Sequence, residues 1–462
     1  MSFGIVGYGS YVPRYRLQNE ELGAALGTKR GKGSRVVASY DEDATTMGVE
    51  AARRALGSAT AGVSIHFATS TPPYLDKTNA TAIHAALDFG HEGFAVDMAG
   101  SPRSAIGALK ASAALGGLAI LSDLRTGRPS SADERGGADG AAAFLFGDEA
   151  DAIAVVVAEA SASAEFLDRW RTPGDIASRS WEERFGQEMY LPLIADAVKR
   201  VLAAAGIEQA DHVIVSSPHT RSAGAAAKKH AGAVPSEEGR LGYAGAADVG
   251  LKLAAVLDRA EPGQTILVIS AADGCDATVF RTTDLIAEGR AGVGVHEQLA
   301  EGRDVAYAQY LTWRGLLDRE PPRRPEPDRP AGPPAGRTEA WKFAFVGSRC
   351  TNCGFVHAPP LRVCKSCHHI DEMERIALAK NEATVATFTV DRLAFSPSPP
   401  MINAVVDFDG GGRYMVELAD ATPEDIQIGT RVKMSFRRLY TVDGVHNYFW
   451  KAVPLSAAEG EG

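Results

Sequence analysis

The chain has 462 residues, 45% of them hydrophobic and 23% charged, and its formal net charge is −10 at pH 7. This length predicts two to four structural units. The acidic balance disfavours nucleic-acid binding, which needs clustered Lys and Arg against phosphates. No apolar run reaches the ~18 residues that span a bilayer, and the N-terminus has no signal-peptide pattern. We therefore expect a cytoplasmic protein without a membrane or nucleic-acid partner.

Two halves with a similar pattern follow one another in residues 1–165 and 166–317. Each half contains an apolar strand that ends in a polar turn, then a helix, then a second apolar strand. These elements lie at 65–74, 104–117 and 118–123 in the first half and at 212–220, 247–263 and 265–270 in the second. Short apolar strands that alternate with helices predict a parallel sheet. Two such halves would stack as an α/β/α/β/α body.

Residues 318–337 read DREPPRRPEPDRPAGPPAGR and contain seven prolines. Proline has no amide hydrogen and cannot sit inside a helix or a central strand. The stretch is therefore predicted to be an extended, semi-rigid linker between the body and a C-terminal module.

The C-terminal module begins with CTNCGFVHAPPLRVCKSC, which holds four of the five cysteines, Cys350, Cys353, Cys364 and Cys367. Two C-x2-C pairs separated by ten residues predict a tetrahedral sulfur cage for Zn²⁺. A four-cysteine cage has no open position, so the ion would be structural. Iron in a rubredoxin-like site would use the same spacing. We assign residues 338–372 to a zinc ribbon.

Five strand-like runs follow the zinc ribbon. They cover residues 383–391, 402–408, 413–419, 431–440 and 447–455. Five short strands at this spacing predict an OB-fold β-barrel over residues 373–462. The fourth run contains basic residues, including Arg431 and Arg437, which we expect on a solvated face.

The body resembles the thiolase superfamily, and most of all its 3-hydroxy-3-methylglutaryl-CoA (HMG-CoA) synthase branch. The resemblance covers roughly residues 3–310 and is carried by GIVGYGSYVPRYRL near the N-terminus, EDATTMGVEAARRAL, GADGAAAFLFGDE and GLKLAAVLDRAEPGQTILVIS. The C-terminal module resembles zinc-ribbon/OB-fold proteins that accompany thiolase-like enzymes acting on acyl-CoA. Together these resemblances imply an acyl-CoA substrate and a homodimer formed through the thiolase-like bodies.

The catalytic groups of that family are missing from the matching positions. Its nucleophilic cysteine, histidine and asparagine fall on Pro102, Ser216 and Leu241, and its general-base glutamate falls near Ser70. A cysteine thiolate accepts an acyl group while nearby donors stabilise the oxyanion, and proline can do neither. Ser101 would need an adjacent base to act as a nucleophile. We keep Ser101, Ser216 and Ser70 as candidate substrate-binding residues.

A reaction without a covalent intermediate fits these losses. In a retro-aldol reaction on a 3-hydroxyacyl-CoA, a base removes the hydroxyl proton and donors stabilise the thioester enolate. One alternative is an HMG-CoA synthase-like or thiolase-like Claisen acyltransferase with a relocated nucleophile, Cys275 or Ser101. Another is a non-catalytic acyl-CoA-binding partner of a separate thiolase.

Five residues are candidates for proton transfer: His219, Tyr243, Cys275, Tyr74 and Asp273. His219 lies three positions after Ser216 and is either an acid, base or enolate donor or a surface histidine. Tyr243 fills the place of the family's turn tyrosine, and Tyr74 lies near the missing glutamate, where it could equally be a pocket wall. Cys275 is the unpaired cysteine, and it is either a proton donor or acceptor or a small buried hydrophobe. Asp273 would be a plausible base if it were buried.

Overall fold

The computed structural model describes residues 3–57, 63–233, 241–321, 324–330, 332 and 336–455. It divides into two compact units. The first unit comprises Met1–Ala38, Asp43–Thr81 and His91–Tyr307, and the second comprises Ser39–Glu42, Ala82–Gly90 and Ala308–Gly462. The predicted boundaries of the two halves, the linker, the zinc ribbon and the OB-fold stay predictions, because a division into two units does not test them.

The strands of the first unit are β1 (Gly4–Tyr11), β2 (Tyr15–Gln18), β3 (Ser34–Val37), β4 (Ile65–Thr69), β5 (Ala95–Ala99), β6 (Gly117–Asp123), β7 (Gly140–Gly147), β8 (Ala154–Ser163), β9 (Arg169–Trp170), β10 (Arg179–Ser180), β11 (His212–Ser216), β12 (Thr265–Ser270), β13 (Gly274–Thr282) and β14 (Arg303–Asp304). The helices along the chain are α1 (Asn19–Ala25), α2 (Ala44–Leu56), α3 (Ala80–Ala86), α4 (Ser104–Leu115), α5 (Ala132–Gly136), α6 (Glu183–Ala205), α7 (Thr220–Lys229), α8 (Ala246–Leu257), α9 (Val295–Ala300), α10 (Tyr307–Trp313) and α11 (Glu339–Lys342). None of the helices described here combines the length and the hydropathy of a membrane span.

Nine strands of the first unit form one sheet in the order β11-β12-β13-β8-β1-β7-β6-β4-β5. The pairs that involve the predicted apolar strands, β4 with β6 and β11 with β12, are parallel. The two halves of the sheet meet between β1 and β8 through the residue pair Ile5–Ala154. The predicted parallel pairing is therefore confirmed for these strands. The strands β1, β7, β8 and β13 pair antiparallel with their neighbours, so the sheet as a whole is mixed rather than parallel.

The helices of the first unit lie in three layers. Helix α8 packs against β6 and β7 of one half and against β11 and β12 of the other, and it also contacts α4. Its residues are buried nearly all round, as expected for a helix in the interior. Helix α2 covers β1, β6 and β7, and α6 covers β8 and β13. The predicted α/β/α/β/α order is confirmed.

The sequence of α8 suits this central place because small residues let it approach the sheet closely. A Cβ atom at Gly250 would lie 2.8 Å from Leu121 Cδ1 and 2.9 Å from Ala142 Cβ. Leu251 and Leu253 are fully buried in the same cluster. A larger residue at position 250 would push the helix off the sheet.

The second unit contains two antiparallel sheets. The first comprises β15 (Val346–Cys350), β16 (Val356–His357) and β17 (Met373–Ala377) in the order β16-β15-β17. The second comprises β18 (Ala383–Asp391), β19 (Met401–Phe408), β20 (Arg413–Glu417), β21 (Arg431–Val442) and β22 (Val445–Pro454) in the order β20-β19-β18-β21-β22. A bridge from Leu418 to Ala452 links the two ends of the second sheet. The five predicted strand runs and the small barrel are confirmed.

Described residues of the predicted linker lie along this barrel. Residues 324–330 form neither helix nor strand. Arg324 pairs with Asp391 at 2.6 Å, and the Arg329 guanidinium lies 4.6 Å from the centre of the Tyr440 ring. The lack of helix and strand in this segment agrees with its proline content, and the predicted linker role stays a prediction.

The solvated position expected for Arg437 is wrong. Its side chain is 2% exposed and bonds Glu42 at 2.9 Å and Asp420 at 2.6 Å. The neighbouring Lys451 is also buried and bonds Asp41 at 2.9 Å and Glu417 at 2.5 Å. Buried charges are tolerated when they are paired in this way. Two of the acidic partners, Asp41 and Glu42, lie far away in sequence, so the strand pattern alone could not reveal them.

Candidate functional site

A cavity of about 300 Å³ lies in the first unit beyond the carboxyl ends of β6 and β11. Its charged and polar lining includes Arg125, Asp133, Asp168, Arg169, His219 and Tyr243. Ligands of open α/β sheets bind at the carboxyl ends of the strands. We call this space the first-unit cavity and take it as the candidate active site.

Tyr243 is fixed in the wall of the cavity by its backbone. Its N–H donates to the Gly136 carbonyl at 2.8 Å, and its carbonyl accepts from the Ala138 N–H at 3.0 Å. The phenol oxygen is buried and has no hydrogen-bond partner among the described residues. Burial raises the pKa of Tyr243 well above its ordinary value, although nearby Arg125 opposes the shift. The side chain is therefore a protonated donor that lacks an acceptor.

Arg125 is held beside Tyr243 by a buried network that includes Ser70. The guanidinium lies 5.8 Å from the centre of the Tyr243 ring, and Nη1 donates to Ser70 Oγ at 3.2 Å. Ser70 Oγ in turn donates to Asp123 Oδ2 at 2.7 Å, and the same carboxylate accepts from the Ala246 N–H at 2.6 Å. The predicted residue Ser70 therefore adjoins the cavity through Arg125.

Asp168 also lines the cavity, and sequence reasoning missed it. The residue is 6% exposed, and its carboxylate makes no hydrogen bond or ion pair with any residue within the described ranges. Burial raises its pKa, while His219 and Arg169 act in the opposite direction. Asp168 lies between β8 and β9 in the segment FLDRW, where no motif marks it. Only its burial and its lack of a partner single it out.

His219 lines the same cavity but uses both ring nitrogens inside the protein. As the N-cap of α7, its Nδ1 accepts from the Ser222 N–H at 3.1 Å. Its Nε2 lies 2.7 Å from the Glu183 carbonyl. Because Nδ1 accepts, the ring proton is on Nε2, which donates to that carbonyl. The predicted role of His219 in proton transfer stays a prediction.

The turn where the family's cysteine would stand is tied down by Arg103. Arg103 Nε donates to Asp276 Oδ2 at 2.8 Å, and Nη1 donates to the Asp273 carbonyl at 2.7 Å. The Ser101 hydroxyl accepts from the Arg103 N–H at 3.2 Å. This turn is thus joined to the start of β13.

Cys275 lies in an apolar core. It is fully buried with Tyr190, Ile194 and Val198 of α6. Burial raises the pKa of its thiol to about 12, and the neighbouring Asp276 adds to the shift. A buried thiol of this kind behaves as a small hydrophobe.

The remaining predicted site residues, Asp273, Ser216 and Tyr74, do not line the first-unit cavity. The burial expected of a base does not hold for Asp273, which is exposed and has a φ of 51°. Ser216 is buried at the end of β11, and Tyr74 is half-buried near Asn79. The lining found among the described residues includes His219 and Tyr243, but not Tyr74, Cys275, Asp273, Ser101 or Ser216.

The four cysteines of the second unit form a compact group. Their sulfur atoms all lie within 4.8 Å of one another, with 3.6 Å between Cys350 and Cys367 and 3.5 Å between Cys353 and Cys364. Four thiolates around Zn²⁺ at ~2.3 Å require sulfur separations of about 3.8 Å. Gly354, with a φ of 74°, makes the tight turn after the first pair. The geometry fits one structural zinc ion in a closed cage.

Comparison with family models covers the second unit. The ChsH2 rubredoxin-like zinc ribbon domain matches residues 343–374, and the ChsH2 C-terminal OB-fold domain matches residues 377–437. Both predicted modules are confirmed.

Curated relatives and solved structures match the remainder of the chain. It is 30% identical over 341 residues to the hydroxymethylglutaryl-CoA synthase of Pyrococcus furiosus, covering 68% of this chain and 93% of the relative. It is 33% identical over 343 residues to that of Archaeoglobus fulgidus, covering 67% and 98%. An HMG-CoA synthase complexed with CoA superimposes with a TM-score of 0.59 at 15% identity, covering 67% of this chain and 89% of that one. The 3-oxoacyl-(acyl carrier protein) synthase III of Pseudomonas aeruginosa PAO1 superimposes with a TM-score of 0.54 at 21% identity, covering 61% and 98%.

Proposed function

Because the chain belongs to the hydroxymethylglutaryl-CoA synthase family of the thiolase superfamily, we propose that it makes or breaks a carbon–carbon bond in an acyl-CoA without a cysteine acyl-enzyme. The specific reaction that we propose is an aldol or retro-aldol step on a 3-hydroxyacyl-CoA. We infer the substrate class from the family and the type of reaction from the residues of this chain.

The observation that carries the proposal is the state of Cys275. It is the only cysteine of the sequence outside the zinc ribbon, and the pKa of its buried thiol is about 12. A nucleophilic cysteine needs access and a lowered pKa. At pH 7, about one Cys275 side chain in 10⁵ would be ionised. Pro102 occupies the family position of the nucleophile, so an acyl-cysteine has no place to form.

The first-unit cavity can support the retro-aldol step instead. A base takes the proton of the C3 hydroxyl, the C2–C3 bond breaks, and C3 becomes a carbonyl. The bonding electrons form a thioester enolate, which then takes a proton at C2. Tyr243 would donate a hydrogen bond to the enolate oxygen, and Arg125 beside it would supply positive charge. Preorganised donors of this kind stabilise charge that develops in a transition state.

The test combines turnover with intact mass. The purified full chain is incubated with 3-hydroxyacyl-CoAs that differ in the C3 substituent, and the products are separated by chromatography and mass spectrometry. We expect a carbonyl product and a shortened acyl-CoA, with no mass added to the protein. An acyl adduct would favour a Claisen acyltransferase and overturn the proposal. Absence of turnover together with stimulation of a separate thiolase would indicate a scaffold subunit and would also overturn it.

Two further expectations accompany this proposal. The resemblance implies a homodimer through the thiolase-like bodies, which light scattering of the purified chain would measure. We also expect the protein in the cytoplasm, and fractionation of the source cells would test this.

A further inference from the structure

Asp168 differs from the other buried carboxylates of the first unit. Asp123 is fully buried and accepts hydrogen bonds from Thr69, Ser70, Thr71 and Ala246. Residue Asp168 is 6% exposed and lines the first-unit cavity, and its carboxylate has no hydrogen-bond or ion-pair partner in the described part of the chain. Buried polar groups are nearly always satisfied. A carboxylate without a partner in a cavity wall is therefore available to a ligand.

The charges around Asp168 do not neutralise it. The groups that act on it are His219, Arg169 and Asp273, and Glu183, Asp133, Arg125 and Tyr243 line the same cavity. Arg169 is already committed to an ion pair with Asp133. Tyr190 of α6 belongs to the same surroundings, with its ring centre 5.8 Å from that of His219. Burial, and then the charge of Asp168, raise the pKa of its phenol. Burial outweighs the opposing effects of His219 and Arg169, so the pKa of Asp168 is raised.

His219 is packed beside Asp168 and is not free to exchange a proton. Its Nδ1 accepts the Ser222 N–H, and its Nε2 donates to the Glu183 carbonyl. Taking a proton at Nδ1 would break the first-turn hydrogen bond of α7. Gly186 leaves the room for this pair, because a Cβ there would collide with Asp168 Oδ1 and lie 2.6 Å from His219 Cδ2.

We propose that Asp168 is the catalytic base of the first-unit cavity and that His219 is a positioning residue that holds the wall beside it. This inference rests on the proposed retro-aldol function. The Asp168 carboxylate takes the C3 hydroxyl proton as the C2–C3 bond breaks, and it passes that proton to C2 of the enolate or to water. In the condensation direction, the protonated Asp168 gives the proton to the alkoxide that forms at C3. No oxidant or reductant is needed.

The experiment measures kcat/KM against pH for the full chain and four variants. Asp168→Asn removes the base at nearly constant shape, and Asp168→Glu keeps a carboxylate. His219→Asn keeps an oxygen that can cap α7. Asp175→Asn is the matched control, because Asp175 is a half-buried aspartate in the same segment that does not line the first-unit cavity.

Each variant has an expected result. Asp168→Asn should lose a factor of 10²–10⁴ in kcat/KM, as general-base removal usually does, and should lose the acidic limb of the profile. Asp168→Glu should recover part of the rate. The kcat/KM of His219→Asn should fall by a smaller factor, and its pH profile should keep the acidic limb. The profile of Asp175→Asn should match that of the wild type. Thermal unfolding of Asp168→Asn at pH 7 should occur at or above the wild-type temperature.

The outcomes separate the two proposals. A wild-type chain without turnover overturns the proposed function and this inference with it. An active wild type whose Asp168→Asn variant keeps its rate within threefold, or keeps the acidic limb, overturns the base assignment alone. Loss of the acidic limb in His219→Asn but not in Asp168→Asn would assign the base to His219.

Discussion

Replacing Tyr243 by Phe should make the protein more stable and less active at the same time. The phenol oxygen is buried without a hydrogen-bond partner among the described residues, and a buried unsatisfied polar group costs about 1–3 kcal/mol. Removing the oxygen recovers part of that cost, so we expect a gain of about 1 kcal/mol. In a unit of this size that corresponds to a rise in Tm of about 2 °C. If the hydroxyl donates to the developing enolate, kcat should fall by about 10²–10³.

Thermal unfolding and steady-state turnover of one 3-hydroxyacyl-CoA measure these two effects. Tyr414→Phe is the matched control, because Tyr414 belongs to the second unit and does not line the first-unit cavity. The control should leave kcat unchanged. A Tyr243→Phe variant that is less stable and fully active would refute the reasoning, since the hydroxyl would then have a structural partner and no part in the chemistry.

Three other predictions concern the thiol, the charge cluster and the metal. Cys275→Ala should leave kcat/KM within about twofold of the wild type, because the proposed reaction does not use the buried thiol, and kinetics at matched folded fraction would check this. Lys451→Met should lower the free energy of unfolding in urea by about 3 kcal/mol, since Asp41 and Glu417 lose a buried partner, whereas exposed Lys380→Met should change it by less than ~0.5 kcal/mol. Burial raises the pKa of Asp41, but Lys451 and Arg437 outweigh it and hold the pKa below its usual range. The stabilisation that the charged Asp41 gives the folded state is therefore present above about pH 4 and is lost as the pH falls further. In an acid titration, the free energy of unfolding of Asp41→Asn should fall less than that of the wild type. Metal analysis should find one zinc per chain, and Cys364→Ser should release it and unfold the ribbon.

Local sequence patterns predicted most of the fold. The strands at 65–69, 118–123, 212–216 and 265–270 are short apolar runs, and the structure buries all four. The barrel strand at 383–391 was predicted with its observed bounds. Periodicity and turn residues are properties of neighbouring residues, so one sequence is enough to read them. The cysteine pairs are equally local, which is why the zinc cage could be predicted.

The parts that the sequence did not reveal depend on contacts between distant segments. Arg437 looks like one member of a basic strand, and its buried partners Asp41 and Glu42 lie almost 400 positions earlier. Asp168 lies in no sequence motif. It becomes a candidate only in the folded chain, where its carboxylate is in a cavity wall and has no partner among the described residues. The sequence marks Cys275 and Asp273 only by their place after the strand at 265–270, and the structure reveals that Cys275 is buried in a core and that Asp273 is exposed. Burial and pairing are global properties that local patterns do not contain.

The turn around Pro102 explains why the chemistry should lie elsewhere. In this chain Arg103 joins that turn to Asp276 and to the Asp273 carbonyl, and charge-assisted hydrogen bonds of this kind fix geometry. The same turn therefore connects α4 of the first half to β13 of the second. By the resemblance, a thiolate placed there would also lack the family's histidine and asparagine, whose expected positions hold Ser216 and Leu241. Tyr243, Arg125 and Asp168 instead converge on one cavity with a donor, a cation and an unpaired carboxylate. The proposed retro-aldol reaction needs a base and an oxyanion donor but no covalent acceptor, and these three groups are the ones that it would use.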